Sequence, residues 1–298
     1  VNEREPTANG PERVELSGDG VVLVGDRWDG GEAPRGVLVL LPGGGQTRHS
    51  WDGAAGTLSR RGWTVYTLDP RGHGESQWAP RPKSDYGIAA LAADVASAVH
   101  DIGERDPGWT VLVGASMGGM AAMTFAAEVP DGLGALVLVD ITPTVEEAGT
   151  ERIKAFMNAG IAGFDSMDDL VEAVARYRPD QPARDASSLR HNIRRGDDGR
   201  IHWHWDPEFQ RPDNGLSDPE LNRTLLLSAA RQILVPTLVV RGAQSDVVSD
   251  DGVAELMAIL PTAETASVAG AGHMVVGDDN DSFIGALLSF VEAHVPRS

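Results

Sequence analysis

Cysteine is absent from the 298 residues, which removes disulfides, thiolate nucleophiles and sulfur-ligated zinc. Lysine is nearly absent: Lys83 and Lys154 are the only two, so almost every basic side chain is arginine. Basic charge is scarce overall, with a formal net charge of −19 at pH 7. Nucleic acid and anionic membranes both demand a basic footprint, so neither partner is expected. No apolar run approaches the roughly 20 residues of a membrane-spanning helix. The stretch VNEREPTANGPERVE is polar and lacks an apolar signal core, which predicts no secretion signal and a cytoplasmic protein.

What is present is a rhythm. Residues 1–12 read as a disordered tail. VELSGDGVVLVGDRW has the pattern of an antiparallel hairpin, and RGVLVLLPGGG that of a buried strand ending in a glycine loop. A helix closed by Gly62 follows, then the strand and turn-rich loop WTVYTLDPRGHGES. Next comes a helix that Ser84 can cap, with Ile88, Leu91, Val95 and Val99 on one face. The strands TVLVG and ALVLVD, with a helix between them, complete an alternation whose strands are nearly all apolar. That is the signature of a mostly parallel sheet with helices on both faces. From Ile141 to Ile233 the pattern changes to successive helices without strands, and then the α/β pattern resumes. The expected organisation is an α/β core over 13–140 and 234–298, with a helical cap inserted at 141–233.

Within GASMGG, Ser116 lies between a five-residue apolar strand and an amphipathic helix. Gly114, Gly118 and Gly119 give the backbone room for the sharp strand-to-helix turn that projects a nucleophilic hydroxyl. A serine needs a base to take its proton and donors for the oxyanion it creates. Of the eight histidines, His273 best fits the base, in a loop of small residues between the last strand and the last helix. His100 and His294 read as solvated surface, and His73 as a residue shaping its own loop. For the carboxylate that orients the base, Asp246 after the strand LVVRG is favoured, with Asp140 at the end of ALVLVD as the alternative. Asp250 and Asp251 read as first-turn acids of the next helix. The expected oxyanion donors are the N–H groups of Met117 and Gly44; Pro42 has none to offer. PGGGQT lacks the lysine of a P-loop and the spacing of a dinucleotide fingerprint, which excludes phosphate cradling there.

PGGGQTRHSW, DPRGHGES, GASMGG, GAQSDVV and GAGH, in that order, give the chain a resemblance to the α/β-hydrolase superfamily from about Val14 onward. It is similar to the serine esterase and lactonase branch that carries a helical cap. The resemblance implies an eight-stranded, mostly parallel sheet with the cap after the sixth strand. It also implies a Ser116–Asp246–His273 triad with Gly44 and Met117 as oxyanion donors. Pro42 departs from the family, which often has His there, and Ala115 stands where carbon–carbon bond hydrolases often have Asn. Ser116 itself argues against epoxide hydrolases and haloalkane dehalogenases, which use Asp. VDITP looks like the corresponding stretch of small esterase and thioesterase-like members.

The expected activity is hydrolysis of an ester, lactone or thioester of a small to medium apolar substrate through an acyl-enzyme. The alternatives are a cofactor-free perhydrolase or haloperoxidase-type enzyme, a carbon–carbon bond hydrolase on the same triad, and a non-catalytic ligand-binding protein. The partner is a small-molecule substrate, with no cofactor and no metal expected. Gly43, Gly45, Phe156, Trp203, Trp205 and Met274 are candidates for the pocket lining, with Met117, Met157 and Phe164 beside them. In HWHW, His202 and His204 would share one strand face, but no third ligand is in view, so cap packing with one Trp facing the pocket is expected.

Overall fold

The computed structural model describes residues 10–80, 85–128, 132–177, 186–260, 263–275 and 280–295. Most of the expected tail, and the expected cap residue Ser84, lie outside them. Eight strands form one sheet: β1 (Glu12–Ser17), β2 (Val22–Trp28), β3 (Val37–Leu41), β4 (Thr64–Leu68), β5 (Thr110–Ala115), β6 (Leu133–Val139), β9 (Thr237–Gly242) and β10 (Ala263–Val268). Their spatial order is β1-β2-β4-β3-β5-β6-β9-β10. β1 and β2 pair antiparallel, as do β2 and β4, and every pairing from β4 to β10 is parallel.

The central strands are apolar throughout because both faces are covered. Alternation divides each between two cores: Val111 and Val113 of β5 point to one face, Leu112 to the other. On the first face, α1 (Asp52–Arg60) and the C-terminal helix (Asn280–His294) bury Trp51, Leu58, Phe283 and Leu287. On the second, α2 (Ile88–Arg105) and α3 (Met117–Glu128) bury Leu91, Ile102, Met123 and Phe125. Gly62 follows α1 at φ 88°, where a side chain would be strained, and ends it. Gly87 holds the N-cap position of α2.

Between β6 and β9 the chain leaves the sheet. It forms α4 (Glu147–Ala159), α5 (Met167–Tyr177), β7 (Ile193–Arg195), β8 (Ile201–Trp203) and α6 (Pro219–Ala230). Two departures from the sequence reading occur here. The helix expected over ARDASSLRHNIRR is not found among its described residues: Ala186–Asn192 is a 3-10 turn, and β7 pairs antiparallel with β8 around the polar turn GDDG. The insertion therefore holds a small hairpin among its helices, since β-branched and aromatic residues flank a turn that favours it. Its last helix, capped by Asp218 with Pro219 behind it, packs on α3 in the core. After β9, α7 (Asp250–Ile259) is capped by the Ser249 side chain, with Asp250 and Asp251 in its first turn. No described helix is long and apolar enough to cross a membrane.

Candidate active site

Ser116 stands between β5 and α3 at φ 46°, a left-handed conformation that costs a non-glycine residue on the order of 1–2 kcal/mol. Three glycines make the turn sterically feasible. A Cβ on Gly114 would strike the backbone of Gly118, and one on Gly119 would strike Ile141. A Cβ on Gly118 would meet the Leu41 carbonyl oxygen at 2.5 Å. The turn is tied to both neighbouring strands, since Ser116 N–H donates to the Val139 carbonyl (3.1 Å) and Gly118 N–H to that of Pro42 (3.1 Å).

β5 and β6 run in register with Ala115 beside Val139, so the residues that leave the two strands, Ser116 and Asp140, emerge side by side. Asp140 also has a positive φ, 49°, and its side chain is almost completely buried. Its Oδ1 accepts the Gly242 N–H (2.9 Å); its Oδ2 accepts the Ser245 hydroxyl (2.5 Å) and His273 Nδ1–H (2.7 Å). The bond at Nδ1 leaves Nε2 of His273 as the basic nitrogen, in the cavity that Ser116 also lines. Gly242 permits this approach, because a Cβ there would overlap the Gly272 carbonyl oxygen.

The expectation that Asp246 holds the histidine is not met. The Asp246 carboxylate is 40% exposed and pairs at 2.8 Å with Arg152 of α4. Its own backbone presses against Gly149, where no Cβ fits. The β9 loop turns outward toward the insertion at Asp246, and the neighbouring Ser245 turns inward to Asp140. The sequence signal for Asp140 is a lone carboxylate ending a fully apolar strand, where burial demands partners.

The glycine loop after β3 faces this turn, and a Cβ on Gly43 would come within 3.4 Å of Ser116 Cβ. Gly43 N–H donates to Gln46 Oε1 (3.1 Å) and Gly45 N–H to His73 Nε2 (3.0 Å). No hydrogen bond among the described residues takes the Gly44 N–H. Met117 opens α3, where a first-turn N–H has no intrahelical acceptor. Gln46, which also reaches the Met274 sulfur, was missed by the sequence reading.

Ser116 and His273 line a cavity of about 630 Å³. All six pocket candidates, Gly43, Gly45, Phe156, Trp203, Trp205 and Met274, line it, as do Met117 and Met157. Phe164 does not; it packs edge-on to Trp203 behind the wall. Trp203 and Trp205 both face the cavity rather than one, stacked 4.9 Å apart. Phe156 stacks on Tyr177 at 4.3 Å, so the insertion supplies an aromatic wall. The lining also has polar members: His49 lies 3.8 Å from His191, ring to ring, and Asp52 and Asn192 line the cavity with them.

His202 and His204 do not form a metal pair. His202 bonds the Asp198 carboxylate near the surface, while buried His204 accepts the Gly74 N–H through Nδ1 (2.6 Å). Asp26, His49 and Asp52 have potential ligand atoms within 4.8 Å of one another. Arg48 already occupies Asp26, however, and His49 bonds Asp52.

Comparison with known proteins identifies the family of the chain. Residues 36–279 match the sequence model of the family described as alpha/beta hydrolase fold. An esterase of Mycobacterium tuberculosis is 34% identical over 273 residues, spanning 86% of this chain and 81% of its own. Its crystal structure superposes with a TM-score of 0.70 at 27% identity, covering 95% of this chain and 93% of that one. A 2-(acetamidomethylene)succinate hydrolase of Mesorhizobium japonicum is 28% identical over 241 residues, spanning 78% and 79%. The crystal structure of an E-2-(acetamidomethylene)succinate hydrolase gives a TM-score of 0.80 at 24% identity, with coverage of 95% and 100%, a likeness of fold. With the family matched over most of its length and its elbow serine, buried acid and loop histidine in one place, the chain belongs to the alpha/beta hydrolase fold family.

Proposed function

We propose that this protein is a serine hydrolase cleaving a carboxylic ester, lactone or thioester of a small to medium apolar acid, with Ser116, His273 and Asp140 as its triad. The observation that carries the reading is the hydrogen bond to buried Asp140 from Nδ1 of His273, which lines the same cavity as Ser116 at its strained turn. His273 Nε2 takes the Ser116 proton as the hydroxyl oxygen attacks the acyl carbon. Asp140 keeps the imidazole in the tautomer that leaves Nε2 free and stabilises the imidazolium that forms. The N–H groups of Gly44 and Met117 bind the oxyanion of the tetrahedral intermediate. The imidazolium then protonates the leaving alcohol or thiol. Water, deprotonated by the same histidine, releases the acid and restores Ser116.

The cavity volume lies within the range of sites for drug-sized ligands, and its aromatic wall suits an apolar acyl group. The relatives named above as an esterase and a hydrolase support bond cleavage by water. In this reading, residues 141–233 act as a cap that roofs the site and sets substrate size. The partner is a small molecule, the reaction needs no cofactor, and the enzyme works in the cytoplasm.

The test is turnover of short-chain nitrophenyl esters together with labelling by a fluorophosphonate probe. Wild type should hydrolyse the esters and label at Ser116, and Ser116→Ala should do neither. An unlabelled wild type, or labelling that survives Ser116→Ala, would sink the proposal.

A further inference from the structure

His73 lines no part of the cavity and is fully buried, yet it touches the residue next to the oxyanion donor. Gly45 N–H donates to His73 Nε2 at 3.0 Å. A ring nitrogen that accepts carries no proton, so the hydrogen of this imidazole resides on Nδ1, which is 3.0 Å from the Arg71 carbonyl oxygen. The histidine is thus a two-ended strut. One end grips the glycine loop after β3, and the other stands on the turn after β4.

That turn is immobilised independently. Arg71 Nε and Nη2 donate to the two oxygens of Asp94 (2.6 and 2.7 Å), and Asp69 accepts the backbone N–H groups of Arg48 and Glu75. The insertion also clamps it: Asp206 N–H donates to the Gly72 carbonyl (2.8 Å) and Gly74 N–H to His204 Nδ1. Gly45 adopts φ 75°, and Phe209 stands edge-on to His73 at 4.8 Å. Gly43, on the other side of Gly44, is held by Gln46. The amides either side of Gly44 are therefore anchored, and its own is left to face the substrate.

We propose that His73 is a positioning residue for the oxyanion hole, holding Gly45 N–H so that the neighbouring Gly44 N–H is aimed at the acyl oxygen. The inference rests on the acyl-transfer reading given above. It differs from a purely structural role in what it predicts. Losing the strut weakens binding of the oxyanion more than binding of the ground-state ester, because only the former depends on the aim of that N–H.

The experiment compares His73→Leu, which cannot accept the Gly45 N–H, with His73→Gln, whose amide oxygen can. Removing an oxyanion donor outright costs about 100- to 1000-fold, so misaiming one in His73→Leu is expected to lower kcat about 10- to 100-fold. KM should stay within about twofold, and a trifluoromethyl ketone inhibitor should weaken by about the same factor as kcat. His73→Gln should recover most of both. Unchanged kcat in folded His73→Leu, a loss confined to KM, or a Gln variant no better than Leu would each overturn the proposal. Should His73→Leu fail to fold, nitrogen NMR of the wild-type imidazole decides instead: a proton on Nε2 is incompatible with the strut, and one on Nδ1 supports it. Failure of the wild type to turn over esters or to label would indict the acyl-transfer reading; normal wild-type turnover with an indifferent His73→Leu indicts the strut alone.

Discussion

Asp140 Oδ2 lies 2.7 Å from His273 Nδ1 although the two residues are 133 positions apart, and Asp140 also accepts the Ser245 hydroxyl and the Gly242 N–H. Three donors fix the orientation of this buried carboxylate. Replacing it by Asn keeps the shape but can present an N–H to the imidazole and favour the wrong tautomer. Asp140→Asn should therefore lower kcat about 10³- to 10⁴-fold on nitrophenyl esters. Asp246→Asn removes only a half-exposed ion pair with Arg152, which is worth about 0–1 kcal/mol, and should leave kcat within about twofold. Steady-state kinetics of the two variants side by side checks this; the reverse ranking would return the role to Asp246.

The elbow should be intolerant of a single methyl group. A Cβ on Gly118 would meet the Leu41 and Pro42 carbonyl oxygens, which belong to the sheet and its loop and have little room to move. Overpacking of this kind costs about 1–3 kcal/mol or more. Gly118→Ala should lower the urea midpoint and slow fluorophosphonate labelling together, since the displaced helix start carries the Met117 N–H. Gly103→Ala serves as the control, because nothing lies within 4 Å of its added Cβ in the last turn of α2. Equal stability of the two variants would contradict the packing argument.

Acyl-chain preference should follow the aromatic wall. Phe156 is half-buried and bridges Tyr177 (4.3 Å) and Trp203 (5.4 Å) beside the cavity. Phe156→Ala enlarges the apolar end and should raise the ratio of long- to short-chain kcat/KM by about 10-fold, the scale of one or two methylenes in an apolar pocket. A series of nitrophenyl esters from acetate to decanoate reads this directly. An unchanged chain-length profile would place the acyl group elsewhere in the cavity.

Acid should destabilise the protein through two histidines outside the triad. Burial pushes His73 down to about 4, and burial followed by the neighbouring charge of His73 pushes His204 down to about 3. In the unfolded chain both titrate near 6.5. As pH falls below that value the unfolded state binds protons that the folded state refuses, so stability is lost toward the folded-state values and is fully present above about 6.5. For His73 the total is on the order of 3 kcal/mol. His204→Gln should flatten the urea-derived stability profile between pH 6 and 4.5 by about 1 kcal/mol per pH unit. Parallel profiles for variant and wild type would show that His204 does not stay neutral.

The sequence alone determined what is local. Apolar strands alternating with amphipathic helices specify a sheet covered on both faces, because each strand must bury both of its sides. Ser116 among its glycines was legible, since the strained turn demands small neighbours within four residues. His273 was legible as a histidine in the loop of small residues after the last strand, and the structure places it beside the Ser116 cavity, bonded to Asp140.

Tertiary structure alone decided what register and packing govern. Asp140 directly follows the apolar strand β6 and Asp246 lies in the loop after β9, and strand-end position alone does not decide between them. The pairing of Ala115 with Val139 brings Asp140 level with Ser116, while α4 draws Asp246 out to Arg152. The grip of His73 on Gly45, and the turning of both Trp203 and Trp205 into the cavity, depend on how the insertion folds back over the β4 turn. Such contacts join segments 28 to 133 residues apart. Residue type shows which groups need partners; only the folded chain decides which partners they find.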